Sequence, residues 1–381
     1  MSTTRMIYKN ADLFTENGFV RGGFTVEGNV FGEVFRGDGP DEGTVVDLGG
    51  ARVIPGLVDV HIHGAMNTDF SDGDPEGLRR MAKWLAGRGV TSFAPASMTL
   101  PYEVLSKAFA AAKELYDAPE EGSARLMGVH MEGPFFSEKK KGAQNGAYLK
   151  LPDYEAFREL SEGCDGLVRI VDVAPELEGA VSFTEKSSQI ARVSVAHTDA
   201  GYEDACSVFD AGATHLTHLF NAMPPFAHRS PGVIGAAAER DFVTAELICD
   251  GLHVHPSAVG AAFKMFPGRI CLISDALRCL GMPDGEYELG GQKVFLKDGV
   301  ARLADQTIAG AASDLYRDLQ NAVSFGICEV EAILAATLTP AREIGRDQQI
   351  GSIASGKLAD FVICDRDLNL QDVYIGGKKV G

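Results

Sequence analysis

Residues 53–63, VIPGLVDVHIH, form a compact apolar run that ends in two histidines. Seven similar runs follow before about residue 330, and most are flanked by stretches with helical periodicity. Alternating strands and helices are expected of parallel βα units, and eight such units close a barrel. The eight runs are VIPGLVDVHIH, TSFAPAS, RLMGVHMEG, LVRIVDVAPE, RVSVAHTDA, ATHLTHLFNA, TAELICDGLHVH and RICLISDA. We therefore predict an α/β protein with a (β/α)8 TIM-like barrel.

Six helices are predicted between these runs from apolar periodicity and from Pro and Gly at the expected ends. The unit that joins the fourth and fifth strands is the least clear. The predicted helices cover residues 75–88, 101–116, 151–161, 202–211, 256–266 and 313–325.

The two ends of the chain differ from this middle part. Residues 5–53 and 350–380 consist of short apolar runs interrupted by Gly-rich turns, which are typical of antiparallel strands and hairpins. Neither end is long enough to bury a core alone, so we expect the two ends to pair. The predicted organisation is a small β-sandwich domain made of residues 1–53 and 350–381, and a catalytic barrel domain over residues 54–349.

The composition limits the classes of partner. Hydrophobic residues make up 45% of the 381 residues and charged residues 23%, which is typical of a globular protein. The formal net charge of -18 repels polyanions, so neither nucleic acid nor a membrane is expected as a partner. The seven cysteines form no CxxC pair, and the first residues lack the apolar stretch of an export signal. We predict reduced thiols and a cytoplasmic protein.

Side chains that can bind metal end most of the eight runs. In a β/α barrel the C-terminal strand ends meet at one mouth, where the active site lies. The His-x-His pair of the first run places both imidazoles on one face of a strand, where they can chelate a divalent ion. Each candidate alone has a structural explanation, as a helix cap or a core histidine, but their occurrence on five different runs favours a metal site. The candidate ligands are His61, His63, Glu132, His197, His218 and Asp275.

Three further histidines are assigned other places. His218 is preferred to His215 as a ligand because the residues after it place it nearer to the strand end. His130 lies deeper in its strand than Glu132 and is predicted to be a buried supporting residue, and His255 is predicted to lie at a helix entry. The ligand atoms are nitrogen and oxygen, which suits Zn, Fe, Mn, Co or Ni without distinguishing among them.

Eight motifs follow one another along the chain: PGLVDVHIHG (55–64), HMEGPF (130–135), KKGAQN (140–145), AHTDA (196–200), THLTHLFNAMPP (214–225), DGLHVHP (250–256), ISDA (273–276) and TIAG (307–310). Together, in this order and over nearly the full length, they resemble the N-acetylglucosamine-6-phosphate deacetylases of the amidohydrolase superfamily.

The resemblance implies a role for each matched residue. Glu132, His197 and His218 would bind the main metal ion, Asp275 would act as the catalytic acid and base, and His253 would contact the acetyl carbonyl. Both His61 and His63 are present, so one or two divalent ions are expected per subunit. Gln144 stands where some members have His, which leaves the contacts to the sugar hydroxyls, and hence the sugar epimer, open. The implied substrate-binding residues are Ala143, Gln144, Asn221, Ala222, Arg229, His253, Ile308, Ala309 and Gly310.

The resemblance also implies the reaction. It is hydrolysis of N-acetyl-D-glucosamine 6-phosphate to D-glucosamine 6-phosphate and acetate, in amino-sugar catabolism. The implied partner is this phosphosugar, and the implied assembly is a homodimer. One alternative is a related enzyme for another N-acetylhexosamine 6-phosphate, such as the galactosamine compound. A more distant alternative is a non-catalytic amidohydrolase-like scaffold.

A second enzyme class on the same scaffold comprises cyclic-amide hydrolases and deaminases, some of which bridge two metals with a carboxylated lysine. The chain has Glu132 at the third-strand position instead, which disfavours that class.

Overall fold

A computed structural model of the chain describes residues 5–40 and 42–381. The strands are β1 (Met6–Thr15), β2 (Gly18–Glu27), β3 (Val30–Arg36), β4 (Thr44–Asp47), β5 (Arg52–Pro55), β6 (Leu57–Ile62), β7 (Gly64–Ala65), β8 (Thr68–Asp69), β9 (Val90–Pro95), β10 (Arg125–Leu126), β11 (Val129–Met131), β12 (Val168–Val173), β13 (Arg192–Val195), β14 (His215–Leu216), β15 (Thr244–Ile248), β16 (Ile270–Ile273), β17 (Gly285–Leu289), β18 (Gln292–Lys297), β19 (Val300–Leu303), β20 (Ile308–Gly310), β21 (Phe361–Cys364), β22 (Leu370–Ile375) and β23 (Lys378–Lys379). The helices are α1 (Pro75–Ala86), α2 (Tyr102–Asp117), α3 (Tyr154–Gly163), α4 (Ala180–Ser187), α5 (Tyr202–Asp210), α6 (Gly232–Ala238), α7 (Pro256–Met265), α8 (Leu315–Ser324), α9 (Glu329–Ala336) and α10 (Leu338–Glu343).

The eight predicted apolar runs form the parallel strands of the barrel. Strands β6, β9 and β10 make one arc, and β11 to β16 pair in sequence order to make the other. The arcs join on both sides, because Ser97 N donates to His130 O at 3.0 Å and Asp275 N donates to His61 O at 2.9 Å. The predicted (β/α)8 barrel is confirmed. Since the first and last strands meet, His61 and Asp275 become neighbours although they lie far apart in the sequence.

Strands from both chain ends form one eight-stranded sheet. Its order is β23-β22-β21-β5-β1-β2-β3, and β4 pairs with β1. The long strand β1 pairs with β4 through residues 6–9 and with β5 through residues 12–13. It changes partner at Asn10, whose φ of 60° marks a bulge where the register to β2 also shifts. The small β domain therefore needs both chain ends, as predicted, while its boundaries stay a prediction.

An aromatic cluster forms the core of this small domain. Phe361 of β21 stacks on Tyr374 with ring centroids 4.5 Å apart and meets Phe24 edge to face at 5.0 Å. Tyr8 and Phe31 complete the cluster, so residues from the two ends of the chain share one core.

The helices agree with the sequence prediction where start signals are present. All six predicted helices are found, as α1, α2, α3, α5, α7 and α8, within a few residues of the expected ends. Helices α4, α6, α9 and α10 were not predicted. Gly179 and Pro231 precede α4 and α6, and neither provides a side-chain cap, so the usual N-terminal signal is missing.

A four-stranded antiparallel sheet, β17 to β20, also lies within residues 54–349 and was not predicted. Its signal was present in the sequence, because Gly290-Gly291 and Asp298-Gly299 are typical hairpin turns. The prediction failed because the whole stretch was interpreted as βα units.

The cysteines and the helix lengths test two predictions from the composition. All seven cysteines are free thiols. Among the helices of residues 5–40 and 42–381, none combines the length and the apolar character that a membrane crossing requires.

The joint core of the small domain can be tested by substitution. Phe361→Ala should lower the free energy of unfolding by about 3–5 kcal/mol, since it removes a fully buried aromatic ring that contacts both chain ends. The matched control is Phe295→Ala at a ring that is 41% exposed, which should change it by no more than about 0.5 kcal/mol. Urea denaturation of both variants measures the difference, and equal losses would contradict the shared core.

Candidate metal and substrate site

Three candidate ligands follow their strands in a left-handed backbone conformation. His197, His218 and Asp275 each lie two residues beyond the end of β13, β14 and β16, with φ angles of 43°, 29° and 47°. Such conformations cost a non-glycine residue about 1–3 kcal/mol and cluster at functional sites. All three side chains line one cavity. The sequence could not show this strain, although the strand-end position of each residue was predicted.

Glu132 lies among four imidazoles at this mouth of the barrel. Its Oε1 is 3.2 Å from His197 Nε2, 3.3 Å from His218 Nε2 and 3.6 Å from His61 Nε2. Its Oε2 is 3.4 Å from His63 Nε2. Two groups with the spacing of metal ligands result, Glu132 with His197 and His218, and Glu132 with His61 and His63. The two groups share one carboxylate.

The donor set fits a divalent cation. His61 Nε2 is buried and finds no hydrogen-bond partner among the residues that the structure describes, which is costly unless a further group binds it. The converging atoms are imidazole nitrogens and carboxylate oxygens, with no thiolate among them. Burial would raise the pKa of Glu132, but its contacts with the rings of His197 and His218 lower it well below its usual range. The site therefore indicates a divalent metal ion held by an ionised carboxylate and imidazoles.

The other ring nitrogen of three histidines is held by a hydrogen bond. His63 Nδ1 bonds to Ala96 O at 3.1 Å, and His197 Nδ1 bonds to Lys140 O at 2.9 Å. Because a carbonyl oxygen only accepts, Nδ1 carries the proton in both rings and Nε2 is left to face Glu132. His61 Nδ1 lies 2.9 Å from a carboxylate oxygen of Glu246, which has the same effect.

A cavity of about 320 Å³ opens beside the histidine cluster. His61 is fully buried, and Arg229 is exposed and is not among the described residues that line the cavity. Met98, Gly142 and Thr307 line it and were not predicted. The predicted site residues in its lining are His63, Glu132, Ala143, Gln144, His197, His218, Asn221, Ala222, His253, Asp275, Ile308, Ala309 and Gly310.

Asp275 combines access to the cavity with a lowered pKa. Its Oδ1 lies 3.2 Å from His63 Nε2 and 3.6 Å from His61 Nε2. Burial would raise the pKa of Asp275, but the hydrogen bond to His63 and the positive charge of His61 lower it. At neutral pH the side chain is therefore a carboxylate that can accept a proton.

His253 is held by a carboxylate of its own. Its Nδ1 lies 2.6 Å from Asp250 Oδ2, while Asp250 Oδ1 accepts hydrogen bonds from the backbone N–H groups of Leu252 and His253. These three contacts, all with Asp250, fix the orientation of the His253 ring. Nε2 is the ring nitrogen left for the cavity.

The unpredicted sheet brings Ile308, Ala309 and Gly310 to the site. These residues form β20, and the next residue, Ala311, bridges to Ala276 beside Asp275. Gly310 has a φ of 153°, and a Cβ there would lie 2.8 Å from Leu277 Cδ2. Glycine is therefore required where this segment crosses the end of β16.

Residues 52–380 match the model of the amidohydrolase family. The chain belongs to the amidohydrolase family. It is 38% identical to the N-acetylglucosamine-6-phosphate deacetylase of Bacillus subtilis over 83% of this chain and 81% of that protein. It is 34% identical to the N-acetylgalactosamine-6-phosphate deacetylase of Escherichia coli O157:H7 over 88% of this chain and 89% of that protein.

The fold also matches a solved structure of an N-acetyl-D-glucosamine-6-phosphate deacetylase. The protein is a mutant from Mycobacterium smegmatis in complex with N-acetyl-D-glucosamine-6-phosphate. The TM-score is 0.92 at 31% identity, over 99% of both chains. The family that the motifs indicated is thereby confirmed.

In this amidohydrolase, a buried carboxylate that the sequence analysis missed connects two of the ligand segments. Glu246, on β15, accepts a hydrogen bond from His218 N at 3.2 Å in addition to its contact with His61. It also lies 3.0 Å from His215 Nε2. A single charged residue in the run TAELIC was the signal that pointed to it, because a buried strand is otherwise apolar.

His215 extends this network to Glu343, which lies 2.7 Å from its Nδ1. Burial opposes protonation of His215, but hydrogen bonds with Glu246 and Glu343 outweigh it and raise its pKa to about 9. His215 thus contacts the carboxylate that supports the ligands, which agrees with the choice of His218 as the ligand. His130 is likewise buried, 2.9 Å from Asp172 Oδ1, and His255 caps the N-terminus of α7.

The raised pKa of His215 predicts a pH dependence of stability. Protonated His215 contributes its full stabilisation below its usual pKa of 6.5, and this contribution is lost as the pH rises through about 9. The thermal midpoint of the wild-type protein should therefore fall over this interval by more than that of His215→Gln. The exposed His228→Gln serves as the control and should keep the wild-type slope. Equal slopes in all three proteins would contradict the charged network.

Proposed function

We propose that the chain hydrolyses N-acetyl-D-glucosamine 6-phosphate to D-glucosamine 6-phosphate and acetate, in amino-sugar catabolism. The observation that carries the proposal is the ionised Asp275 beside the Glu132 and histidine cluster, in one cavity with His253. The high similarity to deacetylases of phosphorylated amino sugars over most of the chain supports the choice of substrate.

One or two divalent ions, of Zn, Fe, Mn, Co or Ni, are proposed at this site. Glu132, His197 and His218 would hold the first ion, and His61 and His63 would hold a second with Glu132 between them. Asp275 would touch the metal as well as carry protons. A bound ion would supply Lewis acidity and a nucleophilic water at neutral pH.

Asp275 moves the proton in the proposed reaction. Its carboxylate accepts a proton from the water that attacks the acetyl carbonyl carbon and returns it to the amine nitrogen as the C–N bond breaks. His253, as an imidazolium whose Nδ1–H donates to Asp250, would donate from Nε2 to the carbonyl oxygen as negative charge develops there. Such a donor is worth about 3–4 kcal/mol of barrier lowering. The reaction leaves acetate and a free amine.

The phosphosugar contacts are proposed from the cavity lining and the motif matches. Asn221 and Ala222 follow His218 on a turn where Ala222 has a φ of 52°. Ala143, Gln144 and residues 308–310 line the same cavity. Arg229 is proposed as the phosphate ligand because its planar fork suits phosphate oxygens. Its exposure outside the cavity lining leaves this assignment a prediction.

A second candidate substrate is N-acetylgalactosamine 6-phosphate, favoured by the 34% identity to the enzyme from Escherichia coli O157:H7. A non-catalytic scaffold is disfavoured because the chain has a complete ligand cluster and an ionised Asp275 at one cavity. We also propose a homodimer, a cytoplasmic location, and the domain boundaries at residues 53 and 350.

The proposed reaction is tested by acetate release with divalent metal added back. The panel consists of the N-acetyl 6-phosphates of glucosamine and galactosamine and the two unphosphorylated sugars. We expect the highest kcat/KM for the glucosamine 6-phosphate compound and much lower values without phosphate. A preference for the galactosamine compound would select the alternative. No acetate from any substrate, with metal bound, would contradict the proposal.

The role of Asp275 predicts a loss of turnover without a loss of metal. Asp275→Asn keeps an oxygen beside the ligands but accepts a proton poorly, so kcat should fall about 10²–10⁴-fold. Metal content by atomic emission should stay near that of wild type. The control, Asp204→Asn on the exposed face of α5, should keep both values. Full activity in Asp275→Asn would remove it from the mechanism.

A further inference from the structure

Gln144 is held at both ends of its amide. It is 3% exposed, its Oε1 accepts a hydrogen bond from Thr99 N at 2.7 Å, and its Nε2 donates to Glu132 Oε2 at 2.5 Å. A backbone N–H can only donate and an ionised carboxylate can only accept, so the amide has one acceptable orientation. The second N–H of the amide faces Met98 Sδ, a weak acceptor, with Nε2 and Sδ 3.8 Å apart. Few donor or acceptor positions of the Gln144 amide therefore remain for a sugar hydroxyl.

Gln144 donates its hydrogen bond to Oε2 of Glu132, the carboxylate oxygen that faces His63. Glu132 Oε1 faces His197, His218 and, at 3.6 Å, His61, whereas Oε2 faces His63. A carboxylate oxygen has two lone pairs, so Oε2 can accept from Gln144 and still bind a cation. The contact therefore holds the carboxylate in the orientation in which Oε2 is directed to His63 and Oε1 to the other three imidazoles.

The loop that carries Gln144 is itself attached to the cluster and to the four-stranded sheet. Lys140 O accepts from His197 Nδ1, and Ser137 N donates to His197 O at 3.0 Å. On the other side, Gln292 Nε2 from β18 donates to Ala143 O at 2.6 Å. The amide of Gln144 is thus presented to Glu132 by a segment that is fixed at both sides. This arrangement suits a supporting role and is poorly suited to adapting to different sugars.

We propose that Gln144 is a positioning residue of the metal centre, and that its hydrogen bond to Glu132 Oε2 sets the affinity for a second divalent ion at His61 and His63. The inference rests on the metal site of the proposed function and deepens it. It also gives Gln144 a different role from the sugar contact that the motif match implied. Residues that orient metal ligands typically contribute about 10–100-fold to metal affinity.

The proposal is tested by titrating Zn²⁺ into metal-stripped protein and following heat and metal-to-protein ratio. Wild type should bind two ions. Gln144→Leu, which removes the donor at similar volume, should keep the first ion and bind the second about 10–100-fold more weakly. Gln144→Met is a second variant in case the branched side chain disturbs folding. The control is Gln189→Leu at an exposed position, which should bind both ions as wild type does.

A second measurement separates metal positioning from sugar recognition. The ratio of kcat/KM for the two epimeric N-acetylhexosamine 6-phosphates should be the same in Gln144→Leu as in wild type. Unchanged affinity for the second ion together with an altered epimer ratio would overturn the proposal in favour of a sugar contact. A wild-type protein that binds a single ion would also overturn it, while leaving deacetylation standing. Two-ion binding that weakens in the variant would support the proposal even if no acetate were released.

Discussion

The structure of the site depends on one buried carboxylate. Glu132 is 1% exposed, and burying a negative charge is costly unless other groups compensate it. Four imidazoles and the Gln144 amide surround it, and they come from three strand ends and one loop. The closed barrel satisfies this group because it brings the ends of β6, β13 and β14 around Glu132 at the same mouth. The same arrangement provides the donor set for a metal ion.

Below the mouth, the interior of the barrel contains a second buried network of carboxylates and imidazoles. Glu246 holds His61 and the backbone of His218, and His215 connects it to Glu343. Burial would raise the pKa of Glu246, but the charge of His61 and hydrogen bonds from His215 and His61 lower it well below its usual range. Buried charged networks of this kind are rigid, because breaking any one contact leaves a buried charge without a partner. Rigid support under the ligands keeps their nitrogen atoms in place.

Much of the fold and of the site follows from the sequence through two simple rules. Apolar periodicity predicts the eight strands, and the rule that strand ends meet at one mouth brings His61, Glu132 and Asp275 together. Contacts made by side chains within loops were beyond these rules. The motif match implied that Gln144 contacts the sugar. In the structure its amide bonds instead to Thr99 and Glu132, and these contacts depend on the path of the loop, which the sequence pattern does not give. Arg229 was implied by the motif match, whereas the structure places it, exposed, outside the lining of the cavity.

The pairing of the two chain ends in one sheet affects how the protein is made. Strand β5 pairs with Phe361 and its neighbours, so β1, β2 and β5 cannot complete their sheet until residue 361 has been synthesised. Contacts between distant residues form slowly because a long loop must close first. During synthesis, β1, β2 and β5 present an unpaired edge and an aromatic face that is still without Phe361 and Tyr374. An unpaired strand edge can associate with other chains, and a chain that ends before residue 361 cannot complete its small domain.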